Sequence, residues 1–186
     1  MHYLIDGYNL LFRVVGQPCS LRQERERLIE ILDTFAENLN LDITIVFDSA
    51  FYEGESSRSH FHSLEIVFTS LGETADEYII DFLHFVKASR NEIIVTSDKS
   101  LARISRSLGA STLSIEKFMM KLRSQKNVSN SEKKQKREFK KQKQPLKKDH
   151  FLSPISKGAS SFDLLEYYLE VFEKKLQDEE DSKREP

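Results

Sequence analysis

The chain has a single cysteine, Cys19. That excludes an intrachain disulfide, and no Cys/His cluster has the spacing of a zinc site. It also lacks any apolar run near the roughly 20 residues needed to span a bilayer. The opening stretch MHYLIDGYNLLFRVV has no basic leader, and Asp6 and Asn9 interrupt it, so it does not read as a secretory signal. These absences predict a soluble, cytoplasmic protein with no membrane partner. A charge imbalance is missing too: 28 Lys+Arg against 30 Asp+Glu leave −2, which by itself names no partner. Apolar residues make up only 39% of the 186. That is low for a globular chain and points to one domain plus a solvated appendage.

What is present begins with His2–Ile5, a short apolar run stopping at Asp-Gly, as for a central strand entering a turn. After Pro18, SLRQ at 20–23 fits a capping box in which Ser20 caps and Gln23 reaches back. Leu21, Leu28, Leu32, Phe35 and Leu39 then recur at helical spacing. Ile43–Phe47 is apolar throughout, as expected of a strand covered on both faces. Residues 49–63 have turn chemistry and no period, and read as a long loop. Leu64–Thr69 is the next strand. Thr74 and Glu77 form a second capping box ahead of Ile79, Ile80, Leu83 and Val86. Glu92–Thr96 is a strand, the following helix closes at Gly109, and Ala110–Leu113 is a last strand before a helix from about Ile115 to Leu122.

The order βαββαβαβα predicts an α/β fold, three-layered, with a mostly parallel central sheet flanked by helices. The globular unit spans 1–123. From Lys121 to Lys148 there are twelve Lys/Arg against two acids, Glu132 and Glu138, so 124–159 reads as a basic linker that cannot bury a core. An amphipathic helix at 160–177, with Leu165, Tyr168, Leu169, Phe172 and Leu176 on one stripe, must dock on its own domain or on a partner. Residues 178–186 are an acidic tail.

Chemistry is carried by acids at strand ends and one helix start: Asp6, Asp48, Asp76, Glu77 and Asp98. Carboxyl ends of parallel strands share one edge of a sheet, so these side chains converge there. Clustered carboxylates repel unless a cation neutralises them, and Mg²⁺ or Mn²⁺ takes such oxygen ligands. That set points to a metal-dependent site acting on phosphate esters. Acids in a first helical turn also complement the helix dipole, which would account for Asp76 and Glu77 without catalysis.

The segments DGYNLL (6–11), VFD (46–48), FTSLGETADEYI (68–79) and VTSD (95–98), in this order and spacing, resemble the YacP-type NYN domains of the PIN-like nuclease group. The resemblance covers roughly residues 1–123. It implies an endoribonuclease dependent on Mg²⁺ or Mn²⁺, with Asp6, Asp76, Asp98 and Glu77 as metal ligands and Asp48 as a further catalytic acid. Glu77 stands where many members have aspartate, which keeps the charge and lengthens the reach. Asn9, Thr96, Ser97, Lys99 and Arg103 are candidate substrate contacts, although Asn9 also suits a left-handed turn position and Ser97 a helix cap. Arg58, Arg106, His60 and His62 are weaker candidates for contact with RNA.

The expected partner is RNA, messenger or structural. The basic arm fits a phosphate backbone, alone or within a ribosome or other ribonucleoprotein. A homodimer is compatible with the sequence. Two other readings stand beside the nuclease: an RNA-binding adaptor whose acidic site is inactive, and a phosphatase with Asp6 as nucleophile. The phosphatase ranks last, because Tyr8 occupies the position where a second acid would serve as general acid.

Overall fold

A computed structural model describes residues 1–51, 56–86, 91–124, 167–168, 170–175 and 177–178. Among the described residues, six strands form one sheet: β1 (His2–Asp6), β2 (Asp42–Phe47), β3 (Ser57–Phe61), β4 (Leu64–Phe68), β5 (Glu92–Val95) and β6 (Ser111–Leu113). Their spatial order is β3-β4-β2-β1-β5-β6, with every neighbouring pair parallel except β3 and β4. The helices are α1 (Gly7–Val15), α2 (Leu21–Leu39), α3 (Ala75–Phe85) and α4 (Lys99–Ser107), followed by helical residues 115–124.

Strand alternation sorts the core into two layers. Tyr3, Ile5, Ile43, Ile45, Phe47, Leu64, Ile66 and Val95 face one way, into a cluster with α1, α2, Phe118 and Leu122. Leu4, Val46, Val67 and Ile94 face the other way, onto Ile79 and Leu83 of α3 and Leu101 of α4. This is the expected three-layer α/β arrangement. The capping box of α3 is present in both directions, and Gly109 lies at the left-handed φ of 94° just past α4.

Three local expectations are corrected. Asp-Gly at 6–7 is not a turn: Asp6 is the N-cap of α1, a helix buried at Tyr8, Leu10, Leu11 and Val14. Its buried positions 7, 10, 11 and 14 recur at helical spacing, with Asn9, Phe12 and Arg13 only partly buried. Asn9 is therefore helical rather than left-handed. Second, the long loop at 49–63 contains a 3₁₀ turn, Ser49–Phe51, and the edge strand β3, all five of whose residues are exposed. β3 owes its conformation to the β4 backbone, through a hairpin turned at His62 (φ 48°). Third, Ser20 is the N-cap of α2, but its side chain makes no capping bond.

Residues 167–168 and 170–175 show where Tyr168 and Phe172 of the C-terminal stripe go. Tyr168 and Phe172 are 2% and 3% exposed and belong to the main core, so this segment docks on its own domain. The Tyr168 hydroxyl bonds Glu24, and Lys175 Nζ donates to the carbonyls of Phe12 (2.9 Å) and Arg13 (3.2 Å) at the end of α1. A cation there meets the negative end of the helix dipole. The sequence-derived linker over 125–159, the side chains of Leu165, Leu169 and Leu176, and the tail from 179 lie outside the described residues. Among the described residues, no helix is long and apolar enough to cross a membrane.

Candidate active site

Parallel register places the acids. Asp6 ends β1 opposite Val46, Asp48 lies one residue past the end of β2, and Asp98 lies three residues past the end of β5, the other neighbour of β1. Asp76 enters from the first turn of α3. Gly7 allows the close passage, since a Cβ there would lie 2.6 Å from the Phe47 ring and 2.8 Å from the Val46 carbonyl. The chain can leave β1 for α1 beneath the end of β2 only without a side chain.

Electrostatics show the convergence. Asp6 is 7% exposed. Burial pushes its carboxyl up to about 7; the Asn9 N–H, 3.2 Å from Oδ1, pulls it down, and Asp76, Asp98 and Asp48 push it up again. Asp76 is raised in turn, by burial and then by Asp98, Asp48 and Glu77. Four carboxylates from four separate segments therefore act on one another across the carboxyl edge of the sheet.

Glu77 does not join them. Its Oε2 accepts from the Thr74 N–H (2.8 Å) and hydroxyl (2.9 Å), which hold its carboxyl below its usual value, and the group is fully exposed. Glu77 caps a helix in this structure. Asp98 also caps: its Oδ1 accepts from the N–H groups of Ser100 (2.6 Å) and Leu101 (2.8 Å), taking the capping position expected for Ser97. Among the described residues, no three His, Cys, Asp or Glu side chains are arranged to hold a metal ion. In chemistry the donors fit a hard divalent cation, being oxygen-only, crowded and partly desolvated. In their present orientation they do not close a cage around one.

The candidate substrate residues are gathered on the β5 side. The Asn9 side-chain oxygen accepts from the Ser97 N–H at 3.0 Å, tying α1 to the β5–α4 turn. Buried Thr96 accepts from the Asp98 N–H at 3.0 Å. A cleft of about 860 Å³ opens beside Asp98, lined by Thr96, Ser97, Lys99, Arg103, Arg106 and Arg13. Arg106 is anchored on Thr112 (2.7 Å) and Arg13 on Glu116 (2.9 Å). Lys99 and Arg103 lie one helical turn apart with no anchoring partner among the described residues. The histidines sit elsewhere: His60 approaches Glu65 (3.7 Å) and His62 pairs with Asp33 (2.9 Å) in the β3–β4 hairpin, whose turn is at the amino edge of the parallel strands. Arg58 is likewise spent on Glu65 at 2.6 Å.

Two participants escaped the sequence reading. Arg13 was hidden because α1 was not recognised. Thr69, 2% exposed, accepts from the Ser49 N–H (2.9 Å) and donates to the Glu73 carbonyl (2.7 Å), bracing the turn after Asp48 against the approach to α3. A polar residue closing the LEIVF strand was the available signal for it.

Comparison with known proteins agrees with this arrangement. The family model described as the YacP-like NYN domain matches residues 3–156, which runs past 123 into the stretch read as linker. The crystal structure of Rae1 (YacP) from Bacillus subtilis matches with a TM-score of 0.55 and 22% identity, over 72% of this chain and 80% of that one. A mutant form of the same protein matches with a TM-score of 0.57 and 21% identity, over 98% and 99% of the two chains. At these identities the likeness is one of fold. No curated protein matches the chain.

Proposed function

This chain belongs to the YacP-like NYN domain family, a nuclease-type, RNA-related group, and on that premise we propose that it is a metal-dependent endoribonuclease hydrolysing RNA phosphodiester bonds. The observation that supports this most is the convergence of Asp48, Asp76 and Asp98 on Asp6, whose carboxyl burial first, and these three acids after it, push up to about 7. Such repulsion persists in a folded protein when something else, here a cation, uses it.

Asp6, Asp76 and Asp98 are the residues that would hold Mg²⁺ or Mn²⁺, with Asp48 orienting water beside them. The bound ion would supply charge neutralisation at the phosphate and a more acidic water. In the hydrolysis, water oxygen bonds to phosphorus and a ribose oxygen leaves, taking a proton to become a hydroxyl. Asn9 and Thr96 keep the β5–α4 turn in register with β1, which positions Asp98. Lys99 and Arg103, with Arg13 and Arg106 behind them, bind flanking phosphates. The basic run of the sequence from 121 to 148 adds phosphate contacts of its own, on free RNA or within a ribonucleoprotein.

The test is incubation of labelled RNA and DNA with the purified protein, with and without Mn²⁺. Cleavage of RNA that requires metal and disappears in Asp6→Asn and Asp98→Asn is the expected result. Asparagine also caps helices well, so both variants keep their helix starts. Full activity in both variants would overturn the assignment. The adaptor reading draws on the absence of a closed cage among the described residues. It requires tight RNA binding with no cleavage under any divalent ion.

A further inference from the structure

Along the carboxyl edge, the strand order puts the basic cleft of β5 and α4 on one side of Asp6 and the end of β2 on the other. On the β2 side stands Phe51, 50% exposed although it is a large aromatic. Its position is built. Its N–H donates to the Asp48 carbonyl at 3.4 Å, and its carbonyl accepts from the Tyr8 hydroxyl at 3.1 Å. That hydroxyl accepts in turn from buried Arg25 at 2.9 Å. Tyr8 and Phe12 meet the Phe51 ring in T-shaped contacts at 5.0 and 5.7 Å. The ring borders a groove of about 580 Å³ that also includes Phe68, Arg22 and Glu26.

We propose that Phe51 is a stacking platform for a nucleobase of single-stranded RNA, on the opposite flank of the acids from the phosphate-binding cleft. This rests on the nuclease reading for its choice of ligand. Bases of unpaired RNA stack on exposed aromatic rings irrespective of sequence, and a rigidly held ring loses little entropy in accepting one. At the rim Arg22 donates to Glu26 at 3.0 Å. With a basic cleft on one flank and an aromatic shelf on the other, a strand laid along the edge would have its scissile phosphate over Asp6.

The sequence has no tryptophan, so Phe51→Trp places the sole indole at this point. In a Phe51→Trp/Asp6→Asn protein, a single-stranded RNA oligonucleotide is expected to quench the fluorescence saturably. An abasic oligonucleotide of equal length is expected to leave it unchanged. Phe51→Ala in the Asp6→Asn background, with its circular dichroism retained, is expected to weaken RNA binding roughly tenfold. Equal quenching by the abasic strand, or unweakened binding by the alanine variant, would refute the platform. Metal-dependent cleavage by the unmutated protein is scored separately, so loss of the nuclease reading leaves the stacking result interpretable, and the reverse holds.

Discussion

At Asp6 the folded chain holds a proton that the unfolded chain has already released. Its value rises from 3.8 to about 7, chiefly through burial. Across that window the native state binds more protons than the unfolded one, so stability falls as pH rises and the loss is complete above about 7. The size is on the order of a few kcal/mol. Asp6→Asn is therefore expected to match the parent near pH 4 and exceed its stability at pH 8, as measured by urea denaturation at both. Millimolar Mn²⁺ is expected to raise the parent's stability at pH 8, where the carboxylates are ionised, and to leave Asp6→Asn nearly unmoved. One residue along, Gly7→Ala drives a methyl into the Phe47 ring and the Val46 carbonyl. A loss of about 1–3 kcal/mol is expected by the same measurement.

Elements were legible where burial imposed a pattern and obscure where it did not. ITIVF, LEIVF and EIIV declare themselves as strands because both their faces are covered. α3 announces its start through Thr74 and Glu77, and the acids at Asp6, Asp48 and Asp98 mark strand ends readable without coordinates. α1 was invisible because Asp-Gly mimics a turn, although Leu10, Leu11 and Val14 recur at helical spacing behind it. β3 was invisible because none of its side chains is buried. The role of Glu77 depended on a competition between cap and cluster that spacing does not resolve. The cap won, so Glu77→Gln is expected to retain metal-stimulated RNA cleavage where Asp76→Asn loses it, in a gel assay of the two side by side. Thr74→Ala is expected to cost about 1 kcal/mol through the lost cap.

For the molecule as a whole, residues 167–168 and 170–175 belong to the fold, not to an appendage. Phe172 lies in the same core as Tyr3 and Phe118. Phe172→Ala is expected to cost about 3–5 kcal/mol in a single cooperative transition. A separate early transition, or none of this loss, would mean that the helix is dispensable. This placement also sets an order of events during synthesis. All six strands are translated before Tyr168 and Phe172, so the nascent sheet waits with the flank of α1 and α2 uncovered until more than fifty further residues have been added. A message truncated in that interval encodes a chain with a greasy, unsealed side, suited to capture by chaperones and proteases.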